Sequence, residues 1–486
     1  MPPETIDSLD DDLKPMVLGI MAQNASLLGR IDELLAQNTK LLSRIAELEA
    51  KLGGPPKTSD NSSLPPSSAK KANGADTSAE KKRRKGRPGV ARALAENPDV
   101  TRDIYAERCG CGAALSRAGQ ELAHAYDHVD IPPIKPITTR INLHRGQCPC
   151  CKKTTAAKPP IDMPTGSPFG PNIVALVTYF HTSHMVSYAR LTEMLGCVFG
   201  LKLSEGAIAN MLARAAKPFA VSSAAIAAIV RNSPVIASDE TSARVCKKTH
   251  WQWVFAAQTA VLHMIASSRK KIVPTEFLAG SKPDVWISDR LPAQATHGTA
   301  HQVCLAHLIR DAQYAIDAGD TIFAPQFLVF LKRACAIGRR RPQLGDATIK
   351  SYARDLNREL DGLLELEAMQ KDGSHLRATM QVDARDKLLV FMTRRDVEPT
   401  NNGCERELRP SVIFRKVTNC FRSDWGSHLY ADIRSVVATG RLNGRGPLDA
   451  IQAALATSTG TASARSAGGE GWTDCASRPR ASKCIR

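Results

Sequence analysis

Three acids carry the most chemistry in this sequence. Asp239 closes the apolar run Val235-Ile236-Ala237-Ser238, and Asp289 closes Val285-Trp286-Ile287-Ser288. Each run is short and apolar and reads as a strand that ends in a carboxylate. Glu405 lies in Thr400-Asn401-Asn402-Gly403-Cys404-Glu405-Arg406, where Asn401 or Asn402 is expected to cap a helix. Carboxylates at strand ends, joined by one from a helix crossing the sheet, can converge on two divalent cations. Such a pair activates an attacking oxygen and stabilises a leaving oxygen in phosphoryl transfer. Oxygen ligands of this kind suit Mg²⁺. The blander reading is local: a strand-end Asp is usually a cap or turn residue, and Glu405 can pair with Arg409 one helical turn on. Arg406, Arg409, Arg415 and Lys416 surround the third acid. They can hold a phosphate backbone in line or simply balance Glu405 and Glu407.

Thiols form the second set. Cys109-Gly110-Cys111-Gly112 and Cys148-Pro149-Cys150-Cys151 are two knuckle-like turns. Gly and Pro beside Cys permit turns tight enough to aim two thiolates at one ion, and four thiolates define a structural zinc site. Cys109, Cys111, Cys148 and Cys151 are the expected ligands. Cys109 and Cys111 are one residue closer than the usual spacing, and Cys150 competes with Cys151. Buried free thiols are the alternative. Cys304 and His307 are spaced for one helix face, but two ligands do not make a metal site. They read as packing or as scaffolding for a DNA contact.

The elements that must position these groups follow in order. Val17, Asn24, Ile31, Asn38, Ile45 and Leu52 alternate with Ile20, Leu27, Leu34, Leu41 and Leu48 in a heptad pattern. Residues 14–52 therefore read as a coiled coil, with Asn at two core positions setting register. Met21, Leu28, Leu35 and Leu42 widen the apolar stripe. A higher oligomer or a helix packed within the chain are the other readings. Residues 53–99 read as a disordered linker rich in Ser, Pro, Lys and Gly. It carries Lys81, Lys82, Arg83, Arg84, Lys85 and Arg87, a tract able to neutralise phosphates without reading sequence. Lys85-Gly86-Arg87-Pro88 also resembles the core of an AT-hook. Residues 100–165 form the cysteine module.

Residues 166–232 read as helices, with a candidate helix-turn-helix from Arg190 onward and Ser204 as a cap. From Ser233 the pattern turns to strands, including a hairpin over Trp251–Ala257 and Ala260–Ala266. Residues 233–300 and 396–456 then supply one α/β core. Residues 301–395 read as a helical insertion, and 457–486 as a disordered tail.

Composition bounds the function. The chain has 486 residues, a net charge of +17, 5% aromatics and 13 Cys. So few aromatics argue against a base-stacking platform. The excess of cations points to an acidic partner. Its distribution is uneven: residues 1–52 carry a net −4 and residues 53–92 a net +7. The odd number of thiols in a long chain reads as reduced, in a cytoplasmic setting. No apolar run reads as a membrane span, and the acidic start does not read as a signal peptide.

Local sequence around the acids resembles the DDE transposases of the insertion sequence sixty-six family, specifically the large subunit. The matching blocks are Asp239-Glu240-Thr241 with Arg244-Val245, Ser288-Asp289, and His301-Gln302-Val303-Cys304-Leu305-Ala306-His307-Leu308-Ile309-Arg310-Asp311. The most specific block is Thr400-Asn401-Asn402 through Glu405-Arg406-Glu407-Leu408-Arg409-Pro410, continuing to Arg415-Lys416-Val417, Ser423 and Gly426. Asn61-Ser62-Ser63 in the linker also fits the family's plan.

The resemblance implies a ribonuclease H-like core in which Asp239, Asp289 and Glu405 are the catalytic acids and the ligands of Mg²⁺ (or Mn²⁺). Glu240 and Asp284 are the nearest wrong choices. Asp289 shares parity with Val285 and Ile287, whereas Asp284 opens the strand on the other face. It further implies binding to the element's terminal inverted repeats and to target DNA, strand cleavage and strand transfer. Small accessory proteins from the same element and a nucleoid-associated location are also implied. The rival readings are a DNA-binding repressor with a dead core and a different ribonuclease H-like nuclease.

Overall fold

A computed structural model describes residues 13–51, 54–62 and 92–464, without the side chains of 46–51 and 457–464. The basic tract Lys81–Arg87 and the end of the tail lie outside the described residues. The chain divides into two compact units, Lys71–Leu212 and Met1–Lys70 with Ala213–Arg486.

In the smaller unit, strands β1 (Arg145–Gln147) and β2 (Thr154–Ala156) form an antiparallel hairpin. Helices α2 (Pro171–Ser183) and α3 (Tyr188–Phe199) follow. The Ser187 side chain caps α3 by accepting the Arg190 N–H, and Gly200 ends it in the left-handed region at φ 67°. Ser204 Oγ then accepts the Ala207 N–H at 3.1 Å, the expected cap of α4 (Glu205–Arg231).

α4 continues well beyond the short recognition-type helix that the sequence suggests, running through Pro218. By length and composition it is apolar enough to cross a membrane, contrary to the sequence expectation. Its burial is confined to one face, as in an amphipathic helix. Ile208, Met211, Leu212, Ala215, Phe219, Ile226 and Val230 are buried at helical spacing, while Arg214 and Lys217 are exposed.

The larger unit contains α1 (Lys14–Lys51) and a five-stranded mixed sheet in the order β5-β4-β3-β6-β7. Its strands are β3 (Val235–Val245), β4 (Lys248–Ala256), β5 (Val261–Ala266), β6 (Val285–Ser288) and β7 (Ala300–Val303). β3, β4 and β5 pair antiparallel, whereas β3, β6 and β7 pair parallel. The anticipated hairpin is β4–β5. β7 takes residues that read as the start of the helical insertion, because Ala300–Val303 pairs with Val285–Ser288.

Alternation divides the sheet into two faces. On one, Phe255 stacks on Phe277 of α5 (Ile272–Leu278) with ring centroids 4.1 Å apart, and Trp286 donates to Gln294. On the other, Val285, Ile287 and Val303 join a helical core. That core is built from α6 (Leu305–Asp317), α7 (Phe323–Arg340), α8 (Asp346–Leu364) and α9 (Lys371–Thr379). α10 (Asn402–Thr418) and α11 (Asp424–Leu442) cover β3, β4 and β5 on this same face. Cys404, Leu408 and Ala438 pack there on Val254 and Val261. Each fully buried Val or Leu side chain here contributes about 1.5–3 kcal/mol. α12 (Pro447–Ala464) extends past Thr457, where the composition suggested a disordered tail.

Candidate active site

The parallel pairing of β3 and β6 ends at Ala237↔Ile287. Two residues on from that pair stand Asp239 in β3 and Asp289 just beyond β6. Equal offsets from one register pair give both positions the same parity, and Asp289 is near enough for its charge to act on Asp239. Asp239 is therefore not at a strand end. β3 runs on to Val245 because residues 240–245 keep pairing with β4. Only the parallel partner stops, and that leaves the β6 side of β3 open beside Asp239.

Asn401 brings the third acid to this edge. Its Nδ2 donates to the Ser238 carbonyl at 2.7 Å, and its N–H donates to Cys304 Sγ at 3.1 Å. Asn401 occupies the N-cap position of α10, yet its side chain makes no capping bond. The expected cap is instead a clip between α10, β3 and the start of α6. Glu405 follows in the first turn of α10, where the helix dipole favours a carboxylate. Its partners are His307, with Nε2 3.8 Å from Oε1, and Arg310, 3.8 Å from Oε2. The local pairing with Arg409 considered from sequence is not the one observed.

Burial holds the Asp239 carboxyl well above the usual range, and the charges of Glu240, Asp289 and Glu405 push the same way. Its Oδ1 accepts the Glu240 N–H at 2.9 Å. Among the described residues no cation pairs with it. A half-buried carboxylate crowded by like charges is one that a divalent cation would relieve, so these residues fit Mg²⁺.

The other two nearby acids, Glu240 and Asp284, have cationic partners. Glu240 lies on the opposite face, where Arg269 pairs with it at 2.8 Å and Gln294 donates at 2.7 Å. Asp284 pairs with Arg394 at 2.6 Å.

A cleft of about 990 Å³ opens beside Glu405, with Arg310, Lys332, Arg339, Arg406 and Arg409 on its walls. Arg415 points elsewhere: its guanidinium donates to Ser242 Oγ at 2.6 Å and to the Ser242 carbonyl, bracing α10 on β3. Lys416 stands in the last turn of α10.

Thr58, Ser59 and Asp60 also line the cleft. The segment 54–62 is held there by Asn61, which is 4% exposed. Asn61 accepts the Thr58 N–H at 2.6 Å and donates to the Pro56 carbonyl at 3.1 Å and to Asp317 of α6 at 2.8 Å. Composition alone assigned this stretch to a disordered linker. The Asn61-Ser62-Ser63 motif was the available signal for its docking.

In the smaller unit each thiol pair sits in a tight turn. Gly112 N–H donates to the Cys109 carbonyl at 2.8 Å, and Gly112 adopts φ 91°, which suits glycine. Cys148 lies at the β1–β2 turn, with its N–H donating to the Lys153 carbonyl at 2.9 Å. Hydrogen bonds from Cys111 and from Cys151 and Cys150 hold the Cys109 and Cys148 thiols below the usual range. Each turn brings thiols close together, Cys109 with Cys111 and Cys148 with Cys150 and Cys151. The four thiols are not gathered within ligand distance of one ion among the described residues. The gathered cluster is Cys304, His307 and Glu405, with ligand atoms within 4.8 Å of one another; the sequence offered Cys304 and His307 as a pair but not the third residue.

A mixed sheet with acids at its open edge, in a chain this basic, fits an enzyme acting on a polyanion. The family model described as "Transposase IS66 family" matches residues 166–429, more than half of the chain and all three acids. The protein therefore belongs to the IS66 transposase family. A family of unknown function (DUF6444) matches residues 14–96. No curated relative matches the chain.

Proposed function

We propose that this transposase is a Mg²⁺-dependent DDE enzyme with a ribonuclease H-like core, acting on the terminal inverted repeats of its own element. The carrying observation is the equal offset of Asp239 and Asp289 from the last β3–β6 pair, with Asn401 clipping the helix of Glu405 to the same edge. Asp239, Asp289 and Glu405 would hold the cations. When bound, two Mg²⁺ ions supply charge stabilisation for both the attacking and the leaving oxygen. Arg310, Arg406 and Arg409 hold the phosphate backbone along the cleft, and the basic tract Lys81–Arg87 adds sequence-independent contacts. Cleavage frees a 3′-hydroxyl, which then attacks target DNA in line.

Self-association through α1 is supported by its unburied heptad positions: Leu27, Leu34 and Leu41 are each more than half exposed. Zinc at Cys109, Cys111, Cys148 and Cys151 is supported by the two thiol-bearing turns. Small accessory proteins of the same element and a cytoplasmic, nucleoid-associated location complete the reading.

The test is a strand-transfer assay with DNA carrying the element's flanking termini. Asp239→Asn should abolish cleavage and joining while end binding survives. Tight end binding by the wild type with no joining in Mg²⁺ or Mn²⁺ would favour a repressor. Cutting of branched DNA without preference for the ends would favour a different nuclease.

A further inference from the structure

We propose that Cys304, His307 and Glu405 form a binding site for a single thiophilic divalent cation of the Zn²⁺ class. The fold assembles it from two helix starts. Cys304 occupies the N-cap position of α6, and His307 follows three residues later on the same helix face. Glu405 comes from the first turn of α10. The two starts are tied together: Leu305 N–H donates to the Pro399 carbonyl at 3.0 Å, and Asn401 N–H donates to Cys304 Sγ at 3.1 Å. The three residues thereby offer one sulfur, one nitrogen and one oxygen within 4.8 Å of one another.

A second observation points to a ligand. Glu405 Oε1 and His307 Nδ1 are both buried atoms without a hydrogen-bond partner. Leaving Oε1 unsatisfied is costly, and a bound ion removes that cost, with one ring nitrogen of His307 as a further ligand. His307 Nε2 lies 3.8 Å from Glu405 Oε1, too far for a hydrogen bond. Ligand atoms around one tetrahedral Zn²⁺ sit about 3.4 Å apart, so a small closure suffices. Arg310 contacts the other carboxylate oxygen, Oε2, and leaves Oε1 to the ion.

Donor chemistry selects the cation. A thiolate with an imidazole suits Zn²⁺ or Co²⁺ and disfavours Mg²⁺. Three protein ligands leave one coordination position for solvent. On binding, the Cys304 thiol loses its proton to solvent, and the thiolate electron pair forms the bond to the ion. Glu405 held in this way is withdrawn from the carboxylate pair at β3 and β6. Zn²⁺ would then inhibit DNA cleavage, a consequence that, unlike the site itself, rests on the proposed role of Glu405.

Co²⁺ titration of the full-length protein tests the site. The background carries Cys148→Ser and Cys151→Ser, so that the paired thiols of the smaller unit do not dominate. The expected result is one equivalent of Co²⁺ with a thiolate charge-transfer band, displaced by Zn²⁺. Cys304→Ser should remove the band, and His307→Ala should weaken binding at least about tenfold. Asp239→Asn should keep the band while losing Mg²⁺-dependent cleavage, which separates this site from the proposed catalytic one. Absence of a thiolate band, or a band surviving in Cys304→Ser, overturns the proposal. If Cys304→Ser does not fold, unchanged Co²⁺ affinity in His307→Ala overturns it equally.

Discussion

Asn401→Ala isolates the clip that places Glu405. The side chain is 2% exposed, and its Nδ2 donates to the Ser238 carbonyl at 2.7 Å. Truncation leaves that carbonyl without its donor in a buried setting, at a cost of about 1–3 kcal/mol. In a unit of this size, each kcal/mol lowers the melting temperature by about 1–2 °C. Asn401→Asp should be worse than alanine. It faces a carbonyl with an acceptor and adds a negative charge near Asp239, which is already crowded by like charges.

The functional effect should exceed the stability effect, because α10 loses its tie to β3 one turn before Glu405. DNA cleavage at a temperature well below melting should fall by more than about tenfold, as small misplacements of a reacting group do. Ile433→Val is the control: a fully buried residue of α11 whose truncation costs about 0.5–1.5 kcal/mol without touching the clip. Equal activity in Asn401→Ala and Ile433→Val at matched stability would refute the positioning role. An unchanged melting temperature in Asn401→Ala would refute the buried hydrogen bond itself.

Asn61→Ala should free the segment 54–62 from α6. Trypsin should then cut at Lys57 faster than in the wild type, while the melting temperature falls only slightly. Burial lowers the His301 pKa from 6.5 to about 4. The unfolded chain therefore binds the proton first, so stability is lost as pH falls from about 6.5 towards 4, by at most about 3 kcal/mol. In His301→Gln the acid limb of a melting-temperature profile should flatten. Leu34→Lys places a charge on the exposed heptad stripe of α1 and should lower the mass seen by light scattering. An unchanged mass would mean that α1 does not hold protomers together. Glu240→Gln should weaken the Arg269 pair but leave Mg²⁺ binding by calorimetry intact, whereas Asp239→Asn should remove it.

By itself the sequence determined what depends on local chemistry. Periodicity marked α1 and the β4–β5 hairpin, and Ser204 was legible as a cap, because heptads, alternation and capping hydroxyls act within a few residues. Motif blocks around the acids led to the family. Parity grouped Asp289 with Val285 and Ile287, a reading that alternation fixes only as far as Ser288, where β6 ends. Composition misjudged the segment 54–62, whose order comes from a hydrogen bond between Asn61 and Asp317, hundreds of residues away.

Only the tertiary structure decided the rest. The length of β3 is set by β4, not by its own apolar run. The start of the helical region became β7 because β6 offered it a parallel edge. Asn401, expected to cap its own helix, bonds to the Ser238 carbonyl instead. Cys304 and His307, too few to make a site alone, have Glu405 within 4.8 Å because α10 starts beside α6. Each of these outcomes depends on a partner far away in the chain, and no local pattern encodes which distant backbone will supply it.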